Sequence, residues 1–129
     1  MRIEHIALWT TDLERCKQFY STYFGATPGT GYVNATKGFE SCFLSFKDGA
    51  RIEAMKTTAF SPVIAESGAQ RMGFTHLAIS VGSEQWVNTL TQKLKDDGFP
   101  VLDGPRRTGD GYYESVVLDP DGNRIEITA

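Results

Sequence analysis

The sequence is short of several things, and each shortage excludes a class of function. No apolar run approaches the roughly 20 residues that a membrane-spanning helix needs. Basic charge is not in excess: 13 Lys and Arg face 16 Asp and Glu, a net charge of -3. That balance argues against nucleic acid or an anionic membrane as the main partner, since both require a basic face. Cysteine is scarce. Cys16 and Cys42 are too few for a disulfide framework and are not spaced as metal ligands. They read as reduced, buried thiols. The opening Met1-Arg2-Ile3-Glu4-His5 enters a strand-like run with no signal-peptide apolar segment, and together these features predict a cytoplasmic protein. Histidine is scarcest of all for its chemical value: there are two, His5 and His76.

What is present is arranged twice. Asp121-Gly122-Asn123-Arg124-Ile125-Glu126 repeats the earlier Asp48-Gly49-Ala50-Arg51-Ile52-Glu53 with one change. Upstream of each copy stands a strand-like run that begins with a histidine: His5-Ile6-Ala7-Leu8 and His76-Leu77-Ala78-Ile79. From His5 to Glu53 is 48 positions, and from His76 to Glu126 is 50. An internal repeat of this kind fixes the architecture before any single element does. The 129 residues are therefore read as one domain of two modules, 1–56 and 74–129, joined by a linker over 57–73.

Each module reads as βαβββ. Residues 3–9 alternate, with His5, Ala7 and Trp9 on one face. Thr11 with Glu14 resembles a capping box that opens a helix over about 12–24, ended by Gly25. Its apolar stripe is Leu13, Cys16, Phe19, Tyr20, Tyr23 and Phe24. A loop follows over 26–38, with an irregular strand near 32–35. Strands at 40–46 and 50–56 flank an Asp-Gly hairpin. Ser61-Pro62 has the form of a helical start. In the second module a strand at 75–81 precedes a helix over about 83–97, with Trp86, Val87, Leu90 and Leu94 as its buried stripe and Gly98 at its end. A short strand at 99–102, a loop at 103–111, and strands at 112–118 and 124–128 complete it.

The apolar pairs Ile6/Leu8, Ile52/Ala54, Leu77/Ile79 and Ile125/Ile127 face away from the His and Glu positions, toward the helices. The His/Glu faces then look into whatever the sheets enclose. Pseudo-twofold pairing brings together two imidazoles and two carboxylates, a donor set that suits Zn²⁺, Ni²⁺, Co²⁺, Mn²⁺ or Fe²⁺. Burying two carboxylates with neither a cation nor protons is costly.

Across essentially its whole length the chain resembles the vicinal oxygen chelate superfamily, which includes glyoxalase I, fosfomycin-resistance proteins, methylmalonyl-CoA epimerase, extradiol dioxygenases and bleomycin-resistance proteins. The matching pieces are residues 5–8, Phe19-Tyr20 with Phe24-Gly25, residues 76–79, and Asp119-Pro120-Asp121-Gly122-Asn123-Arg124-Ile125-Glu126. The resemblance implies an α+β fold of two tandem βαβββ modules, their sheets curled into a cup around a divalent metal. It implies His5, Glu53, His76 and Glu126 as ligands, a small-molecule substrate and a homodimer, the cup being formed within one chain or across two. Two His and two Glu in this order resemble glyoxalase I-like isomerases and lyases. The glutathione-contacting pattern of glyoxalase I is not evident between Gly25 and Gly38.

The chemistry implied is chelation of vicinal substrate oxygens with stabilisation of an enediolate. Either Glu53 or Glu126 acts as the base, with Glu126 preferred. An extradiol-type dioxygenase and a non-catalytic resistance protein of the bleomycin type are the alternatives. Trp9 and Glu114 are candidates for lining the cup. Arg106 and Arg107, ahead of Tyr112 and Tyr113, either belong to a solvated loop or close over the cup to hold an anionic group; Arg107 and Tyr113 join Trp9 and Glu114 as the candidate substrate-binding residues.

Overall fold

The computed structural model describes residues 1–61, 69–70 and 72–129. The chain divides into two compact units, Met1–Val63 and Ile64–Ala129. Among the described residues they contain two α-helices and two sheets, an α+β protein. The helical start read at Ser61-Pro62, and much of the linker, lie outside the described residues.

In the first unit, β1 (His5–Trp9) leads into α1 (Leu13–Phe24). Two short strands follow, β2 (Thr27–Pro28) and β3 (Tyr32–Asn34), then a 3-10 turn at Ala35–Lys37. The long hairpin of β4 (Phe39–Ser45) and β5 (Arg51–Thr57) closes the unit. The sheet order is β1-β5-β4-β2, with β3 also paired to β4. β1 and β5 run parallel, and β4 and β5 antiparallel.

The second unit repeats this plan more cleanly. It comprises β6 (Leu77–Ser80), α2 (Glu84–Asp96), β7 (Val101–Arg107), β8 (Tyr113–Leu118) and β9 (Arg124–Thr128), in the order β6-β9-β8-β7. In both units the first strand thus pairs in parallel with the last, which seats each His-bearing run beside the Glu-bearing strand.

Period-two alternation decides what each strand buries. Ile52, Ala54 and Leu44 are sealed on the face covered by α1; Ile125, Ile127 and Val117 are sealed on the face covered by α2. α1 contributes Cys16, Phe19 and Tyr20 to the first core, and α2 contributes Val87 and Leu94 to the second. Cys16 and Cys42 are both free and buried.

Three local expectations are corrected. The N-cap of α1 is Asp12 rather than Thr11: its carboxylate accepts from the Arg15 amide at 3.0 Å, while Thr11 Oγ1 accepts from the Arg15 guanidinium at 3.1 Å. Aspartate caps as well as threonine, and here Asp12 has the extended backbone that a cap requires. Trp86 is not in the buried stripe of α2 but 61% exposed. The buried stripe is Val87, Thr91 and Leu94; a polar residue at its centre hides it from a hydrophobicity count. Finally, much of the loop read at 103–111 is strand. β7 continues to Arg107 through register shifts on either side of Asp103. Irregularities of this kind let a strand carry Gly and Pro without losing its partner.

Thr91 is held by a buried hydroxyl network. Its Oγ1 donates to the Val87 carbonyl at 2.6 Å and pairs with Ser115 Oγ at 2.6 Å. Thr91→Val keeps the shape but strands the Ser115 hydroxyl, which is 1% exposed. The expected loss is about 1–3 kcal/mol of stability, read from urea unfolding. A Thr91→Val/Ser115→Ala double variant should recover part of it, and no recovery would show that the pairing is not what matters.

Candidate functional site

Each unit presents one imidazole and one carboxylate on the sheet face opposite its helix. In the first unit, Ala7 and Phe43 are the register partners of Glu53 on either side, so Glu53 shares its face with the His5–Trp9 row. His5 Nε2 lies 3.8 Å from Glu53 Oε2. In the second unit Glu126 sits between Ala78 and Val116, and His76 Nε2 lies 3.3 Å from Glu126 Oε2. Both carboxylates are well covered, their side chains 19% and 17% exposed.

The other ring nitrogen of each histidine is engaged. His5 Nδ1 bonds the Glu4 carboxylate, which also pairs with Arg51. The His5 hydrogen bond, followed by the Arg51 guanidinium, holds the Glu4 carboxyl below its usual range. Arg51 in turn lies 4.0 Å above the Phe43 ring, and Phe43 meets His5 edge-on. His76 Nδ1 pairs with Thr75 Oγ1 at 3.0 Å. Occupying Nδ1 fixes the ring and leaves Nε2 directed at the carboxylate.

The arrangement fits a metal. Two ligands of one ion, at bond lengths near 2.0–2.2 Å, stand roughly 3.0–3.5 Å apart. The His76–Glu126 pair has that separation, and the His5–Glu53 pair at 3.8 Å is slightly wider. Among the described residues no cluster of three or more His, Cys, Asp or Glu side chains is assembled. Each unit by itself brings together one imidazole and one carboxylate.

Trp9 lies two strand positions beyond Ala7 on the His5 face and stacks edge-on against Phe39 and Phe60. Of Phe43 and Phe46, Phe43 is the one that shares the Glu53 face. Glu114 stands opposite Thr128 on the Glu126 face, with Arg106 as its partner on β7.

Arg107 and Tyr113 are register partners one position along and therefore belong to the other face. Arg107 pairs with Glu84 of α2 and donates to the Gly111 carbonyl at 2.9 Å, while the Tyr113 hydroxyl donates to Asn88 of α2 at 2.9 Å. Both were read as substrate-binding residues from their place in the chain. A single strand step puts them against the helix instead.

Residues that were not singled out line a cavity of about 460 Å³ on the Glu126 face: Ala78, Thr108, Asp110 and Thr128, with Tyr112 and Glu114. Thr108 and Asp110 lie in the turn that joins β7 to β8, where the Thr108 amide donates to the Tyr112 carbonyl at 2.8 Å. No motif marks them; the signal was Thr128, two residues from Glu126 and on its face.

Glu114 titrates high. Burial raises its carboxyl, the charges of Glu126 and Asp110 add to this, and Arg106 and His76 partly offset them. A carboxyl raised in the folded state stabilises the fold below its unfolded pKa, and that contribution is lost as pH rises through the folded value. Metal-free Glu114→Gln should therefore gain stability relative to wild type as pH rises from the ordinary carboxylate range through the raised Glu114 value. Paired urea titrations measure this, and a difference that stays constant with pH would contradict it.

The fold has known counterparts. The glyoxalase/bleomycin resistance protein/dioxygenase superfamily matches residues 2–127. The chain belongs to that superfamily. It is 29% identical over 131 residues to YqjT, an uncharacterized protein of Bacillus subtilis, covering 98% of each chain. It is similar to the structure of a possible glyoxalase from Bacillus cereus, with 27% identity and a TM-score of 0.73 over 100% of this chain and 99% of that one. Glyoxalase I from Zea mays shares the fold, with a TM-score of 0.79 at 22% identity; the match covers 98% of this chain and 44% of the maize chain. No helix among the described residues is long and apolar enough to cross a membrane.

Proposed function

We propose that the protein is a divalent-metal-dependent enzyme of glyoxalase-like type, an isomerase or lyase acting on a small oxygenated substrate. The observation that carries this reading is the pair of His–Glu half-sites at equivalent register positions, each with Nε2 turned to a carboxylate oxygen. His5, Glu53, His76 and Glu126 are the proposed ligands of one Zn²⁺, Ni²⁺, Co²⁺, Mn²⁺ or Fe²⁺ ion. When bound, such an ion supplies Lewis acidity to adjacent substrate oxygens.

The chain's own residues do the rest. Glu126 takes a proton from the hydroxyl-bearing carbon beside a substrate carbonyl and returns it to the former carbonyl carbon, while the hydroxyl proton passes to the former carbonyl oxygen, so the net change is an isomerisation. Thr75 and Glu4 hold the two imidazoles in place through Nδ1. Trp9 and Phe43 supply apolar surface on the first unit's face. A homodimer and a reducing, cytoplasmic setting belong to the same proposal; the free, buried thiols of Cys16 and Cys42 accord with the latter.

Incubating metal-loaded protein in D₂O with small 2-oxoaldehydes and α-hydroxy carbonyls, with and without thiols, tests the reaction type. The expected result is catalysed isomerisation detected by NMR. Oxygen consumption with the Fe²⁺ form, in place of isomerisation, would instead establish the dioxygenase alternative. Tight binding of a small molecule by metal-free protein, without turnover, would establish the sequestering one.

A further inference from the structure

The cavity beside Glu126 has its own chemical character. Three carboxylates border it, from Asp110, Glu114 and Glu126, together with the Thr108, Tyr112 and Thr128 side chains. Its lining contains no Lys, Arg or His. The nearby Arg106 guanidinium is 2.6 Å from Asp103 and 3.9 Å from Glu114, so it is already committed to carboxylates. Arg107 is turned to the opposite face and paired with Glu84. Thr128 Oγ1 is buried with no hydrogen-bond partner among the described residues. At about 460 Å³ the space is of the size that holds a small organic molecule.

A wall of carboxylate and hydroxyl oxygens accepts hydrogen bonds and repels anions. Substrate polar groups that donate are matched here; those that only accept, and carry negative charge, are not.

We infer that this cavity selects substrates whose far end is a hydrogen-bond donor, a hydroxyl or an ammonium group, and discriminates against carboxylates and phosphates. The inference rests on the metal-dependent reading above, because it places the chelating oxygens of the substrate at Glu126. It makes Asp110 and Glu114 specificity-determining residues. It also turns the earlier expectation for Arg107 around: the chain's basic pair does not hold an anionic group at this site.

Three hydroxamates of equal chain length test it, each a bidentate oxygen chelator ending in an ammonium, a hydroxyl or a carboxylate. Their affinities for the full-length Ni²⁺-loaded protein are measured by calorimetry. The carboxylate form should bind about tenfold more weakly than the other two. In an Asp110→Asn/Glu114→Gln double variant, which removes two charges without changing volume, that gap should narrow to about twofold or less. Equal binding of all three by the wild type, or a preference for the carboxylate, overturns the inference and leaves the metal site standing. No binding by any of the three removes the metal reading, and this inference falls with it.

Discussion

Replacing Glu126 with Gln leaves the protein folded and lowers turnover by about 10²–10⁴-fold, the usual contribution of a positioned general base. The fold should survive because Glu126 is not part of the core. Its neighbours Ile125 and Ile127, 1% and 0% exposed, make the contacts with the helix side, while Glu126 stands between Ala78 and Val116 on the other face. Gln keeps the volume and loses both the charge and the basicity. The equivalent change at Glu53 removes the same charge from the other half-site. If Glu126 alone is the base, Glu53→Gln with saturating metal should retain more of the turnover than Glu126→Gln. The comparison is made on kcat at matched metal occupancy, with circular dichroism as the check on folding. Full activity in Glu126→Gln rules out its role as base.

Gly104→Ala should be the most damaging alanine substitution among the described glycines of the second unit. Gly104 has φ +75, where a side chain is strained, and a Cβ there would stand 2.5 Å from the Glu114 carbonyl oxygen and 2.9 Å from Ser115 Cα. Both are backbone atoms of the paired strand, so β7 or β8 must move. The expected cost is on the order of 3 kcal/mol, from conformational strain with the displacement added. Gly122→Ala is the control. It has a similar φ of +83 but nothing within 4 Å of the new methyl, so only the left-handed backbone penalty of about 1–2 kcal/mol applies. Urea midpoints separate the two. Equal losses would mean that the close approach to β8 is not a constraint. Because the carbonyl that must yield belongs to Glu114, Gly104→Ala should also disturb the acidic cavity, whereas Gly122→Ala should not.

Much of this architecture was legible from the chain, because it is written in short periods. Alternation around His5, Glu53, His76 and Glu126 sorted each strand into a helix-facing and a His/Glu-facing row, and the register follows that sorting. The last strand was read at its observed limits, Arg124–Thr128. Its turn is stabilised in a way that local signals hide. Asp119, 4% exposed, accepts from the Asp121 and Asn123 amides at 3.0 and 2.8 Å, so the first aspartate of the motif organises the turn.

The differences in the 103–111 segment share one cause. Strand β7 is paired through two irregularities around Asp103, and no local pattern reveals where a strand skips a residue. Reading 103–111 as a loop left Arg106 and Arg107 without assigned faces. Pairing with β8 splits them: Arg106 stands with Glu114, and Arg107 with Tyr113 on the face toward α2. Trp86 failed for a different reason. It is the largest apolar side chain in α2, but the seam at Val87, Thr91 and Leu94 is set by what packs against β8, and Thr91 earns its place through hydrogen bonds rather than hydrophobicity.

The proposed function depends on a divalent metal bound through His5, Glu53, His76 and Glu126. Metal content measures it most directly, on protein purified without chelator or metal-affinity tag and then titrated with Ni²⁺ or Zn²⁺. Wild type, Glu53→Gln and Glu126→Gln are compared. The account predicts about one equivalent per chain in the wild type and clearly weakened binding in both variants, since each removes one ligand of the same tetrad. No metal in the wild type and none on titration, or two weak equivalents of which each variant loses only its own, would contradict it.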